Sequence, residues 1–320
     1  MVNLIRENVA NILVIVASSD GMLGAAAYTR QEVGNSAQIR YIFTEAHRVN
    51  EINVGSWPKN SKVGFIDLAV NNANRFMTIK LINKIKKLGH EILFVADEHD
   101  KDEWENVFKV CEIDLNKLTI TPENRNEFGS SCEILKRKFG DTIDEHTKEL
   151  LDAGHQADQL NFETKFGEYF NQCTKANPRD DSRKDYLVRH FSVHDAPDET
   201  ILAWKKEYLP IQLKTWEILE TYQEYSEEIC IFDCSRGLCD VSDLFSKAYK
   251  IKPVVVLYGL GKHNQGVSIG TYREDVNILQ ILTEANFCVS GMPKKANFTI
   301  NNYGDLGYAI QAVQFKLNQE

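Results

Sequence analysis

Val14-Ile15-Val16-Ala17-Ser18-Ser19-Asp20-Gly21 is a β-branched run that breaks into a carboxylate and a glycine. The same strand-then-acid ending recurs at Asp67, after Val63 to Ile66, and at Asp97, after Ile92 to Val95. Each run is short, apolar and closed by polar residues, which favours buried strands over helices, although periodicity alone does not separate the two. Parallel strands covered on both faces read as such continuous apolar runs, and their carboxyl ends open onto the crevice where open α/β sheets bind ligands. Between the second and third runs, residues 74–88 set Phe76, Ile79, Leu81, Ile82 and Ile85 against a lysine-rich face and end at Gly89. That is the pattern of an amphipathic helix with a glycine C-cap, and the alternation predicts βαβ units.

The acids admit two readings. Asp is a common helix N-cap and turn residue directly after a strand, and for any one of the three that is the ordinary explanation. Three in order, delivered to one edge of a sheet, point instead to a metal site.

Composition bounds the rest. A chain of 320 residues, 43% hydrophobic, can bury a sizeable core and is expected to split into two domains. It contains no 18-residue apolar stretch, and the short run 12–17, ending in acid, makes a poor signal peptide, so no membrane association and a cytoplasmic location are expected. The net charge of −9 argues against a broad nucleic-acid-binding surface, while residues 241–320 carry 8 Lys/Arg against 6 Asp/Glu and form the better face for an anionic ligand. Seven cysteines are scattered; Cys230, Cys234 and Cys239 lie close but lack a second paired cluster, which favours reduced thiols over structural zinc.

The order of these segments resembles the DHH phosphoesterase superfamily over most of the chain. The family's first motif is a strand, then His-x-Asp-x-Asp-Gly, then a small-residue helix; here Val16-Ala-Ser18-Ser-Asp20-Gly21 precedes Met-Leu-Gly24-Ala25-Ala26-Ala27. Asp67 stands for the lone acid of the second motif, and Asp97-Glu98-His99 for the Asp-His-His of the third, with Trp104 downstream where the family often has an aromatic. Ser130-Ser131-Cys132 resembles the small-residue helix start that follows, and Asp158, with Asp152 as the alternative, resembles the fourth-motif acid. Val289-Ser290-Gly291-Met292-Pro293-Lys294-Lys295-Ala296-Asn297-Phe298 resembles the Gly-Gly-His-containing loop of the DHH-associated C-terminal domain.

The resemblance implies an α/β protein: a DHH-like metal-binding domain at 1–173 with a mostly parallel sheet and flanking helices, a helical linker at 174–224, and a smaller substrate-binding α/β domain at 225–320, with the active-site cleft between the two domains. It implies metal-dependent hydrolysis of a phosphodiester or nucleotide-like phosphate ester such as a short oligonucleotide. Carried over residue by residue, one metal set becomes Val16 and Ser18, leaving only bridging Asp67. The other persists as Asp20, Asp67, Glu98 and Asp158, a donor set suited to Mn²⁺ or Mg²⁺, for one ion or none. His99 and Glu98 become the catalytic candidates, with His99 orienting the phosphate or relaying a proton. Gly291, Lys294 and Lys295 become the substrate-phosphate contact, although exposed lysines are equally often a solvated surface. The alternative is an inactive descendant that binds nucleotides or assembles with a protein partner; oligomeric state is left open.

Three further features stay open. Residues 174–200 read as a linker or excursion, and 201–222 as a helix carrying Trp204, Leu209, Leu213, Trp216 and Leu219 that Pro210 should kink or divide. His190 and His194, at i, i+4 spacing, are metal ligands or structural histidines. Gly259-Leu-Gly261-Lys262-His263-Asn-Gln-Gly266 is a phosphate-cradling turn or a long hairpin turn.

Overall fold

The computed structural model describes residues 12–34, 39–70, 75–99, 101–261 and 263–319. The chain divides between Glu207 and Tyr208 into two compact units.

In the first unit the elements run β1 (Ile12–Val16), α1 (Ser19–Tyr28), β2 (Ile39–Phe43), β3 (Lys62–Ile66), α2 (Arg75–Lys87), β4 (Glu91–Ala96), α3 (Lys101–Val110), α4 (Ser131–Phe139), α5 (Glu145–Asp158), α6 (Lys165–Ala176), α7 (Asp181–Phe191) and α8 (Glu199–Glu207). The four strands form a parallel sheet in the order β2-β1-β3-β4. β1, β3 and β4 are the three apolar runs of the sequence. β2 has no such signature because it is an edge strand, with Arg40 exposed between buried Ile39 and Tyr41. The helix expected at 74–88 is α2, and Gly89 follows it at φ 77°, as a left-handed C-cap requires; Asn74 lies outside the described residues.

Strand side chains alternate between two cores. Val14 and Val16 join the core of α1 and α4 to α7, while Leu13 and Ile15 join that of α2 and α3. Both faces are therefore covered, which is why these strands read as unbroken apolar runs. α1 is buried almost all round, from Asp20 to Tyr28, and its small residues let the neighbouring helices close in. At Gly154 of α5 a Cβ would stand 2.2 Å from Cys132 Sγ on α4. Residues 174–207 belong to this unit, with Leu187, Val188 and Phe191 of α7 fully buried in its core.

The second unit contains α9 (Leu209–Glu220), β5 (Gln223–Glu224), β6 (Ile229–Asp233), α10 (Val241–Ala248), β7 (Val254–Leu260), β8 (Gly266–Thr271), α11 (Ile278–Glu284), β9 (Ser290–Met292), β10 (Lys295–Thr299) and α12 (Tyr303–Leu317). Its sheet is mixed, ordered β5-β6-β7-β8-β10-β9, with β6 and β7 parallel and the other pairs antiparallel. Pro210 does divide the long helical stretch, falling in the first turn of α9, where its missing N–H costs nothing. α9 buries Ile211, Thr215 and Ile218, so the apolar stripe expected from Leu209, Leu213 and Trp216 lies on its other face. The glycine-rich stretch 259–266 joins two antiparallel neighbours, β7 and β8, with Gly259 and Gly261 at φ 77°. It is a hairpin connection; Lys262 within it lies outside the described residues.

Candidate active site

Three parallel strands end together, and each hands an acid-bearing segment to the same edge. The ladder continues past the strands: Ala17 N–H donates to Ile66 O (3.2 Å) and Asp67 N–H to Ala96 O (2.9 Å). The edge lies at the carboxyl ends of β1 and β3, where the strand order reverses direction and open α/β sheets form their crevice.

Ser18, not Asp20, caps α1: its Oγ accepts from Gly21 N–H at 3.2 Å. The same Oγ lies 2.5 Å from Asp20 Oδ1 and in tight contact with Asp67 Oδ2. A hydroxyl has one hydrogen, so it donates to only one of these carboxylates at a time. Ser18 holds this position at φ 55° and ψ 179°, a conformation that ordinarily belongs to glycine and costs about 1–3 kcal/mol. Asp67 is also left-handed, at φ 57°. Gly21 permits the approach of α1 to β3, since a Cβ there would lie 3.0 Å from Asp67 Cβ and 3.4 Å from Ile66 O.

Asp97 is fully buried and already committed. Trp104 Nε1 donates to its Oδ2 (2.7 Å) and His99 Nδ1 lies 2.8 Å from its Oδ1. It therefore orients the imidazole rather than offering a free ligand atom, the usual arrangement behind a metal-binding histidine. His99 Nδ1 is also 3.4 Å from Glu98 Oε1 and 3.6 Å from Asp67 Oδ1. Ligand atoms of Asp67, Asp97, Glu98 and His99 all lie within 4.8 Å of one another. Asp158, at the end of α5, joins the cluster through Arg125, whereas Asp152 pairs with Lys136 (2.5 Å) at the surface.

Arg125 is the residue that sequence reasoning missed. Residues 119–123 run beside β4, with Thr119 N–H donating to Leu93 O, Val95 N–H to Ile120 O and Glu123 N–H to Asp97 O. This edge carries Arg125 to the acids, where Nη1 donates to Glu98 Oε1 (3.2 Å) and Nη2 to Asp158 Oδ2 (2.5 Å). No motif in the sequence marks it, because the segment that delivers it lacks an apolar run.

The electrostatics follow from crowding. Burial, then Asp20 and Glu98, push the Asp67 carboxyl well above its ordinary range. Burial raises Glu98 to about 8, against the opposing effect of His99. Asp158 rises to about 6 through burial, with Arg125 holding it down. His99 is raised to about 9: burial alone would lower it, but the Asp97 bond and the charges of Asp97 and Glu98 prevail. Among the described residues, Asp67 Oδ1 and Glu98 Oε2 are buried with no hydrogen-bond partner. Unpaired carboxylate oxygens in such a place are costly unless protonated or met by a cation. Carboxylates with a carboxylate-held imidazole form a donor set that fits Mn²⁺ or Mg²⁺.

The remaining candidates lie elsewhere. In the second unit Lys294 Nζ donates to Arg273 O (2.5 Å) and Val276 O (3.3 Å), and Lys295 Nζ sits 4.4 Å from the Phe245 ring centroid. Gly291 stands at φ 137° in the β9–β10 hairpin, where a Cβ would lie 2.2 Å from Lys295 O. His190 donates from Nε2 to Ala196 O (2.7 Å) and lines a cleft of about 750 Å³ with His194, Tyr186 and Asp198 that includes none of the clustered acids. Among the described residues no cysteine is in a disulfide.

No protein-family model matches the chain, and no curated protein does. Solved structures do. A pGpG-specific phosphodiesterase, PggH from Vibrio cholerae, matches with TM-score 0.59 at 11% identity, over 96% of this chain and 99% of that one. RecJ from Thermus thermophilus in complex with Mn²⁺ matches with TM-score 0.56 at 11% identity, over 96% of this chain but only 52% of RecJ. An exopolyphosphatase-related protein from Bacteroides fragilis matches with TM-score 0.51 at 12% identity, over 97% and 94%. Likeness at this identity establishes the fold alone: the chain shares the α/β fold of these phosphodiesterase, RecJ and exopolyphosphatase-related structures.

Proposed function

We propose that the chain is a divergent DHH-family phosphoesterase that hydrolyses a phosphodiester or nucleotide-like phosphate ester with the help of one divalent cation. The observation that carries this reading is the pair of buried, unpartnered carboxylate oxygens, Asp67 Oδ1 and Glu98 Oε2, inside a cluster of acids at a sheet's carboxyl edge. Asp20, Asp67, Glu98 and Asp158 would hold Mn²⁺ or Mg²⁺. Bound there, the ion would supply Lewis-acid polarisation of a phosphoryl oxygen and a lowered pKa for attacking water. His99, held at Nδ1 by Asp97, would orient the phosphate or relay a proton to a leaving oxygen. The substrate class follows the likeness to a pGpG-specific phosphodiesterase and to RecJ: a short, linear nucleotide or oligonucleotide. Residues 1–173 serve as the metal-binding domain and 225–320 as the substrate domain. Gly291, Lys294 and Lys295 are the candidate phosphate contact, with the Lys294 ammonium already serving two carbonyls. Cysteines that are mostly buried and in no disulfide among the described residues suit a reducing, cytoplasmic setting.

A second reading, a non-catalytic module, is favoured by one observation. Val16 is buried in the core, 1% exposed, and so leaves the first-motif metal without a ligand at that position. The test is hydrolysis of pGpG, short RNAs and pyrophosphate in Mn²⁺ by the chain and by Asp20→Ala. Turnover abolished by that change supports the phosphoesterase; no turnover of any of them supports the module.

A further inference from the structure

Glu98 and Asp158 come from different elements, the end of β4 and the end of α5, yet one guanidinium joins them. The two acids are buried, with side chains 0% and 8% exposed, whereas Arg125 is 37% exposed. Arg125 lies in a loop ahead of α4, held locally by a turn in which Glu127 and Phe128 N–H donate back to Asn124 O. It gives one nitrogen to each carboxylate rather than gripping either one with both prongs, so its planar fork is not matched to its present partners. Meanwhile Asp67 Oδ1 and Glu98 Oε2 are buried without a hydrogen-bond partner among the described residues.

A divalent ion held by Glu98 and Asp158 would stand at contact distance from this guanidinium, charge against like charge. Even with the ion on Glu98 Oε2 and the guanidinium on Oε1, like charges side by side make ion and arginine compete for these two carboxylates. Once displaced, an arginine on a half-exposed loop at the rim of a cationic site presents a fork that suits a phosphate's oxygens.

We propose that Arg125 is an exchangeable cation: it pairs with Glu98 and Asp158 while the site holds no ion, and it turns to the substrate's phosphate when a divalent ion takes those acids. The inference rests on the phosphoesterase reading of the same site. It makes Arg125 a phosphate-binding residue and a competitor of the metal at once, two effects of opposite sign from one side chain.

The test uses the full chain and the variants Arg125→Met and Arg125→Lys, with folding checked by thermal melting. Mn²⁺ is titrated alone, and inorganic phosphate is then titrated into protein saturated with Mg²⁺. Arg125→Met is expected to bind Mn²⁺ at least tenfold more tightly and phosphate at least tenfold more weakly than the unaltered chain, with Arg125→Lys between the two in both titrations. If Arg125→Met does not fold, Arg125→Lys decides by the same two directions. Unchanged or weaker Mn²⁺ binding overturns the exchange, as does unchanged phosphate binding; in either case Asp67-dependent Mn²⁺ binding by the unaltered chain would leave the phosphoesterase reading standing. Absence of Mn²⁺ binding in every form overturns both.

Discussion

Raising the pH from 6 to 8 on metal-free protein should destabilise it, the reverse of what a surface rich in paired carboxylates does. Glu98 moves from an ordinary 4.5 to about 8 on folding, chiefly by burial. A carboxyl whose folded value lies above its unfolded one contributes stability that is complete below 4.5 and lost as pH rises through about 8. Across pH 6 to 8 the folded chain keeps a proton that the unfolded chain has shed, a loss of about 2 kcal/mol from this group. His99, raised from 6.5 to about 9, acts in the same direction, since its proton too is held more tightly in the folded state. Asp144, held below the usual carboxylate range by Arg30, has the opposite sign but acts only under more acidic conditions. Melting of EDTA-treated protein should therefore show Tm falling by about 5 °C between pH 6 and 8. Glu98→Gln should flatten the slope, and saturating Mn²⁺ should flatten it in the unaltered chain by replacing the protons. A Tm that is level or rises over that interval would refute the picture of buried, crowded acids.

Other perturbations separate the parts. Gly21→Ala presses a methyl group against Asp67 and the β3 carbonyl edge and should cost about 1–3 kcal/mol in denaturant unfolding, as overpacking does. Trp104→Phe leaves the buried Asp97 Oδ2 without its donor and should cost about 1–3 kcal/mol in denaturant unfolding. Asp152→Ala, by contrast, breaks an exposed pair with Lys136 and should leave stability within about 1 kcal/mol and Mn²⁺ binding unchanged.

Much of the fold was legible because burial on both faces leaves a plain mark. β1, β3 and β4 read as apolar runs, and their acids fall at one edge because parallel strands finish on one side. β2 escaped notice as a half-polar edge strand, and α7 because its charged opening, Arg179 to Asp185, masks the buried Leu187, Val188 and Phe191. Within the site, Asp67, Glu98, His99 and Asp158 do come together. Asp97 appeared in the sequence as a strand-end acid and motif position pointing to a metal site, and Ser18 only as a departure from a motif. Their roles, holding His99 and linking Asp20 to Asp67, depend on side-chain direction, which spacing does not encode. Arg125 depends on a loop that follows β4 without any periodic pattern. The apolar face of α9 failed for a related reason: a helix apolar on more than one side does not say which side is buried.

Whether these acids are a cation site is tested most directly by calorimetric titration of Mn²⁺ into metal-free protein, with Asp67→Asn as the control. One site is expected, with binding lost when Asp67 becomes Asn. An unaltered chain that takes up no Mn²⁺, or an Asp67→Asn chain that takes it up equally well, would contradict the assignment.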